Sequence, residues 1–278
     1  MKTTSKLPIL ALASALALSF VAPAFAQQPA KPAAPAALPG IIKTKNGAEV
    51  KGAIRWMPQG KKYVVARRQG EQTISLDVAL DEVASVTVAK PEKLDAAIAA
   101  VKAGKAAAAM PVLEAIVKQY AMLNWDEPAA RWLARAKLDT GDAAAAIAIC
   151  EGIIKGRPSA AYVGEVAPIY WAALLKTDKA AKVKDLLVKA IANGDANDSA
   201  AALVMRGDIL MEEKEPFNAL KDGYLRTVLL YENCHEVQPE ALYKAAKAFE
   251  ALSKNADAQK MRDQLRKRYP KSEWASKI

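Results

Sequence analysis

The chain has 278 residues, 52% of them hydrophobic, but 60 are alanine and only 6% are aromatic, so much of the apolar content consists of small side chains. Forty Lys and Arg against thirty acids give a formal charge of +10. The one histidine, His235, excludes any mechanism built on two histidines, and two cysteines exclude a disulfide framework or a four-cysteine metal site.

Met1 to Ala26 carries Lys2 and Lys6, then an apolar stretch from Leu7 to Val21, then Ala24-Phe25-Ala26 ahead of Gln27. This is the pattern of a secretory signal peptide, with an apolar stretch shorter than the ~20 residues of a membrane span. No cysteine lies near the junction to take a lipid, so a soluble, exported, periplasmic product is expected, with at most peripheral contact with the envelope. Residues 27–40, with Pro29, Pro32, Pro35 and Pro39 among alanines, read as a disordered Pro/Ala-rich linker.

From Ile41 to Val88 the apolar period is close to two, and Asn46-Gly47, Pro58-Gln59-Gly60 and Gln69-Gly70 supply turns. Strands are expected near 41–45, 48–56, 61–68, 71–76 and 83–88, forming a small β-barrel domain of SH3-like or Sm-like type over residues 41–90. Residues 27–90 hold ten Lys or Arg against five acids, so the smaller part carries most of the basic excess. Lys61, Lys62, Arg67 and Arg68 flank one strand and make a patch suited to an anionic partner such as cell wall, lipid headgroups or an acidic protein. A charged strand edge kept from aggregating gives the same pattern. Export argues against nucleic acid.

Residues 91–278 change to apolar spacings of three and four, with Gly or Pro at the breaks, and read as helical throughout. Pairs of helices recur. Ala146 has Gly141 five residues before it, Cys150 four after, Ile153 seven after and Pro158 twelve after. Ala258 repeats this with Leu265 and Pro270, Ala219 follows Gly207 in its preceding helix, and Ala109 follows Gly104. Segment 162–195, with Tyr170, Trp171, Leu174, Leu186 and Leu187, forms a further pair without a clean small-residue register.

These spacings, with the ending Leu265-Arg266-Lys267-Arg268-Tyr269-Pro270-Lys271-Ser272-Glu273-Trp274-Ala275, resemble the tetratricopeptide repeat of exported bacterial envelope proteins over roughly residues 90–274. The fold class expected is therefore mainly α, a tetratricopeptide-like α-solenoid of helix-turn-helix repeats behind the small β domain. The resemblance implies a groove lined by the first helix of each pair, which puts Arg131, Arg135, Arg206 and Tyr243 forward as protein-binding contacts.

Catalytic signals are sparse. Cys234, His235 and Glu236 are consecutive and point in different directions, short of the three or four converging ligands that zinc needs. No glycine-rich phosphate loop, Gly-x-Ser-x-Gly elbow or His-Glu-x-x-His occurs, so no catalytic residue, metal or cofactor is assigned. A Cys150–Cys234 disulfide stays open. The basic last helix, with Lys260, Arg262, Arg266, Lys267, Arg268 and Lys271, suits either the polar cap of a repeat stack or an acidic surface. The function expected is a non-catalytic exported scaffold or adaptor that binds other envelope proteins, in envelope assembly or organisation. The alternative is a structural envelope protein whose basic β domain binds cell wall or anionic lipid, with the helices as a spacer.

Overall fold

The computed structural model describes residues 36–278; the expected leader and all but the end of the linker lie outside them. Five strands come first: β1 (Leu38–Thr44), β2 (Glu49–Met57), β3 (Lys62–Gln69), β4 (Gln72–Ala79) and β5 (Val83–Val88). Gly47 at φ 88° and Gly70 at φ 64° make the turns that their sequence context predicts, conformations in which a side chain would strain the backbone. All pairings are antiparallel and the strand order is β4-β3-β2-β1-β5. The expected barrel is not closed: among the described residues no pairing joins β4 to β5, and the sheet keeps two edges.

Eleven helices follow among the described residues. They are α1 (Leu94–Lys102), α2 (Ala106–Gln119), α3 (Asp126–Asp139), α4 (Ala143–Gly156), α5 (Ala167–Leu175), α6 (Ala180–Asn193), α7 (Ala196–Glu212), α8 (Pro216–Ala219), α9 (Leu225–Leu230), α10 (Gln238–Ala251) and α11 (Asn255–Arg268). A π-helical turn, Leu220–Tyr224, joins α8 to α9, so these three act as one second helix behind α7. The result is five helical hairpins.

One backbone device ends the first helix of every hairpin. Gly104, Gly141, Asp178, Lys214 and Ser253 all have positive φ, and they lie 36 to 39 residues apart. In each case the next residue donates its N–H to a carbonyl five residues back: Lys105 to Ala100, Asp142 to Lys137, Lys179 to Leu174, Glu215 to Leu210 and Lys254 to Phe249, at 2.8 to 3.1 Å. This is the Schellman arrangement, which satisfies carbonyls that a helix end leaves unpaired. Five residues beyond each turn comes a buried inward-facing side chain: Ala109, Ala146, Val183, Ala219 and Ala258. The third hairpin therefore keeps the register, with Asp178 in place of glycine and Val183 in place of alanine.

The sheet and the first helices share a core. Ile42, Ile54, Tyr63, Val65 and Val86 belong to one buried cluster with Leu94, Leu113, Ile116 and Leu123. The Tyr63 hydroxyl donates to the carbonyl of Met122 at 2.9 Å, tying β3 to the loop between α2 and α3. Two further clusters fill the middle and the C-terminal end of the helical stack. No helix of the described residues is long and apolar enough to cross a membrane.

Candidate functional site

Among the described residues, Asp208, Tyr224, Glu240 and Lys244 form a connected polar cluster where α7 meets α10. α7 starts on a capping box, in which Asp195 and Asp198 each accept from the other's backbone N–H, and its Gly207 faces the π-helical turn. The absence of a side chain at Gly207 admits the ring of Tyr224, and Gly223 in turn admits the α7 backbone. An α-helical turn that widens to π geometry shifts the residues beyond it around the axis. Tyr224 is thereby held across α7, where its hydroxyl donates to Asp208 Oδ1 at 2.8 Å.

Lys244 of α10 donates to Asp208 Oδ2 at 2.5 Å and pairs with Glu240, one turn back on its own helix, at 2.6 Å. Burial raises the Asp208 carboxyl above its ordinary value, and Lys244 and Tyr224 offset this only in part. Burial pulls Lys244 down, but Glu240 and Asp208 outweigh it and leave the ammonium above its ordinary value. Tyr224 is pushed far up by burial and by the Asp208 charge, so its hydroxyl stays a donor. A cation held between two carboxylates and a phenol locked as a donor form a connected polar network suited to positioning and recognition.

This cluster forms part of a cleft of about 420 Å³. The cleft is lined by Ala172 and Leu175 of α5, Lys176 just beyond that helix, Met205, Met211 and Glu212 of α7, and Lys244 of α10. The methionines provide a deformable apolar lining between charges of both signs. A larger cleft of about 610 Å³ lies between β1 and α2, lined by Leu38, Pro39, Pro111, Val112, Ile116 and Tyr120 among others, and it has no comparable polar network.

The four residues put forward as protein contacts occupy α3, α7 and α10 but do not converge. Arg131 of α3 pairs with Glu165 and is pulled down chiefly by burial. Arg135 bonds Asp139 at 2.8 Å and lines a different cleft, shared with Lys102, Lys105 and Glu273. Arg206, on α7, is lowered by burial and then by Arg226. Tyr243 packs against Trp274, with ring centroids 5.2 Å apart. Asp208, Tyr224 and Lys244 gave no sequence motif; only Gly207 pointed to this part of the chain.

In the basic patch, Lys62 pairs with Asp77, Lys61 sits in the left-handed turn at φ 44°, and Arg67 and Arg68 are exposed on β3. Cys150 and Cys234 are both buried free thiols. His235 Nδ1 lies 3.2 Å from the Tyr269 hydroxyl, and among the described residues no three metal-binding side chains converge.

Residues 240–272 match the family model of the tetratricopeptide repeat. The match spans most of the α10–α11 hairpin. Lys244 and Tyr243 thus lie in the first helix of the matched repeat hairpin. Solved structures similar to the chain include the following two. TTC0263, a thermophilic TPR protein of Thermus thermophilus, shares 20% identity at a TM-score of 0.47, over 66% of this chain and 95% of that one. MamA MSR-1 C2 shares 20% identity at a TM-score of 0.39, over 63% of this chain and 94% of that one. No curated protein matches the chain in sequence.

Proposed function

We propose that the protein is an exported, non-catalytic scaffold that holds another envelope protein in the cleft formed by α5, α7 and α10. The reading rests on one observation: a cleft lined by Met205 and Met211 also carries the Lys244–Asp208 pair of two first helices, braced by Tyr224 of the second helix behind α7. Such a surface offers apolar contact with charge selectivity at its walls. Export rests on the leader pattern at Met1 to Ala26, and the periplasm of a Gram-negative envelope is the compartment that fits it. The Lys61, Lys62, Arg67 and Arg68 patch suits a second, anionic contact with the cell wall or a membrane surface.

The test places a photo-crosslinking residue at position 205 or 211 of the full chain in the source cells, with position 221 on the second helix as control. A discrete adduct from 205 and 211, not from 221, and lost in Lys244→Glu, supports the groove. Equal labelling from all three positions, or adducts indifferent to Lys244, overturns it. Recovery of the tagged chain in the cytoplasmic fraction alone would remove the export half of the reading.

A further inference from the structure

The two edges of the sheet are treated differently. On β5, Trp125 Nε1 donates to the Val88 carbonyl at 3.2 Å and Asn124 Nδ2 donates to that of Val86, so the loop between α2 and α3 occupies the edge. Among the described residues no strand pairs with the outer side of β4. Gln69 and Gln72 flank the two-residue turn Gly70-Glu71 and so form a mutually hydrogen-bonded pair. Alternation along the antiparallel ladder then points the N–H and C=O groups of Thr73, Ser75 and Asp77 outward.

The usual edge protection is missing as well. β4 contains no proline or lysine, its register with β3 has no bulge, and its one charge, Asp77, already pairs with Lys62. Ile74 and Leu76 lie on the same face as Tyr63 and Val65, which are buried, yet they are 37% and 38% exposed.

We propose that β4 pairs with β4 of a second copy of this chain, antiparallel about a twofold axis at Ser75, to make a continuous ten-stranded sheet. In this register Thr73 faces Asp77 of the other copy, Ile74 faces Leu76, and Ser75 faces itself. The residues whose backbone groups point outward therefore pair with one another. Both copies' Ile74 and Leu76 meet in one apolar cluster on a shared face.

Charge complementarity selects a second copy over an unrelated strand. Asp77 falls in the same row as Arg68 of the other copy, one strand beyond Thr73, because Arg68 neighbours Thr73 in the β3–β4 ladder. Asp77, the one acid of the seam strand, thus gains a base of the partner, and Arg68 has no ion pair among the described residues to compete. The two β3 strands stand three strand spacings apart, roughly 14 Å, so repulsion between their arginines is largely screened at ordinary ionic strength.

A seam of one strand per copy is at the small end of stable interfaces, so the dimer forms in a concentration-dependent way. Sedimentation velocity of the full chain over micromolar to millimolar concentration should show a monomer–dimer equilibrium that weakens with salt. Ser75→Lys places two like charges face to face on the axis and should raise the dissociation constant by about tenfold or more while leaving the circular dichroism unchanged. Arg68→Glu, away from the axis, should weaken the dimer too. Amide exchange at Thr73, Ser75 and Asp77 should slow as concentration rises. A chain monomeric throughout, or a dimer indifferent to both substitutions, overturns the proposal. So does protection of these amides only when another protein is added.

Discussion

Gly207 of α7 lies directly under the ring of Tyr224: a Cβ at position 207 would fall 2.4 Å from Tyr224 Cε1. The same crossing brings residue 223 within 2.7 Å of the Gly207 Cα, measured from a Cβ built there, so both helices need a bare backbone at one point. Gly207→Ala must displace Tyr224 and with it the donor to Asp208. It should destabilise the protein by about 3 kcal/mol, the cost of overpacking plus an unmade buried hydrogen bond. Gly152→Ala in α4, where nothing lies within 4 Å, is the contrast: there better helix propensity should add up to about 1 kcal/mol. Urea denaturation of the two variants checks both signs.

Lys244 compensates two acids at once, so Lys244→Met should cost about 2–4 kcal/mol at neutral pH, by leaving partly buried carboxylates without their cation. The pH dependence follows from Asp208. Its carboxyl is raised in the fold, so between its unfolded and folded values the native state holds a proton that the unfolded chain has lost, and stability falls as pH rises through that window. Removal of Lys244 raises the carboxyl further and widens the window. The Lys244→Met penalty should therefore be smaller at ~pH 4 than at pH 7, as read from thermal midpoints. A penalty independent of pH would mean that Lys244 acts through packing alone.

Much of the fold could be read in the sequence because it is carried by local signals. Alternation and the Asn46-Gly47 and Gln69-Gly70 turns placed the strands, and Gly104, Gly141 and the buried alanines placed four helical pairs. The third pair was illegible as a repeat because Asp178 and Val183 fill the positions that Gly and Ala hold elsewhere: the backbone kept its geometry while the residues changed. The open sheet was illegible for another reason. Closure of β4 on β5 depends on what else occupies the β5 edge, and Asn124 and Trp125 reach it from 38 and 37 residues away. The Asp208 network was hidden likewise. It is assembled from α7, a π-helical turn and α10, and periodicity gives no warning of a π turn. Periodicity did place Arg131, Arg135, Arg206 and Tyr243 on the first helices, but helix membership does not make side chains converge.

The turn device makes its own prediction. Lys214 is exposed and holds φ 62°, a conformation that costs an L-residue about 1–2 kcal/mol and glycine little beyond its chain entropy. Lys214→Gly should stabilise the protein by about 0.5–1 kcal/mol, whereas Gly141→Val, at φ 88° in the equivalent turn, should destabilise it. Thermal midpoints of both variants test whether the five turns are equivalent.

Cys150 gives the last test, at alkaline pH. It is fully buried in α4, and burial, with a smaller contribution from Glu151, pushes its thiol up to about 12 from an ordinary 9.0. Between those values the unfolded chain gives up the proton and the folded chain keeps it, so the unfolded state binds fewer protons and stability must fall as pH rises. Cys150→Ala removes that contribution and should flatten the fall in thermal midpoint above pH 9, at a cost of about 1 kcal/mol for the lost sulfur packing at neutral pH. Buried thiols held as thiols are also poor nucleophiles. An aromatic disulfide reagent should therefore react slowly with the native chain and label two cysteines in denaturant. Rapid labelling of Cys150 in the native state would show that the second helical hairpin opens, and would remove the basis for the alkaline effect.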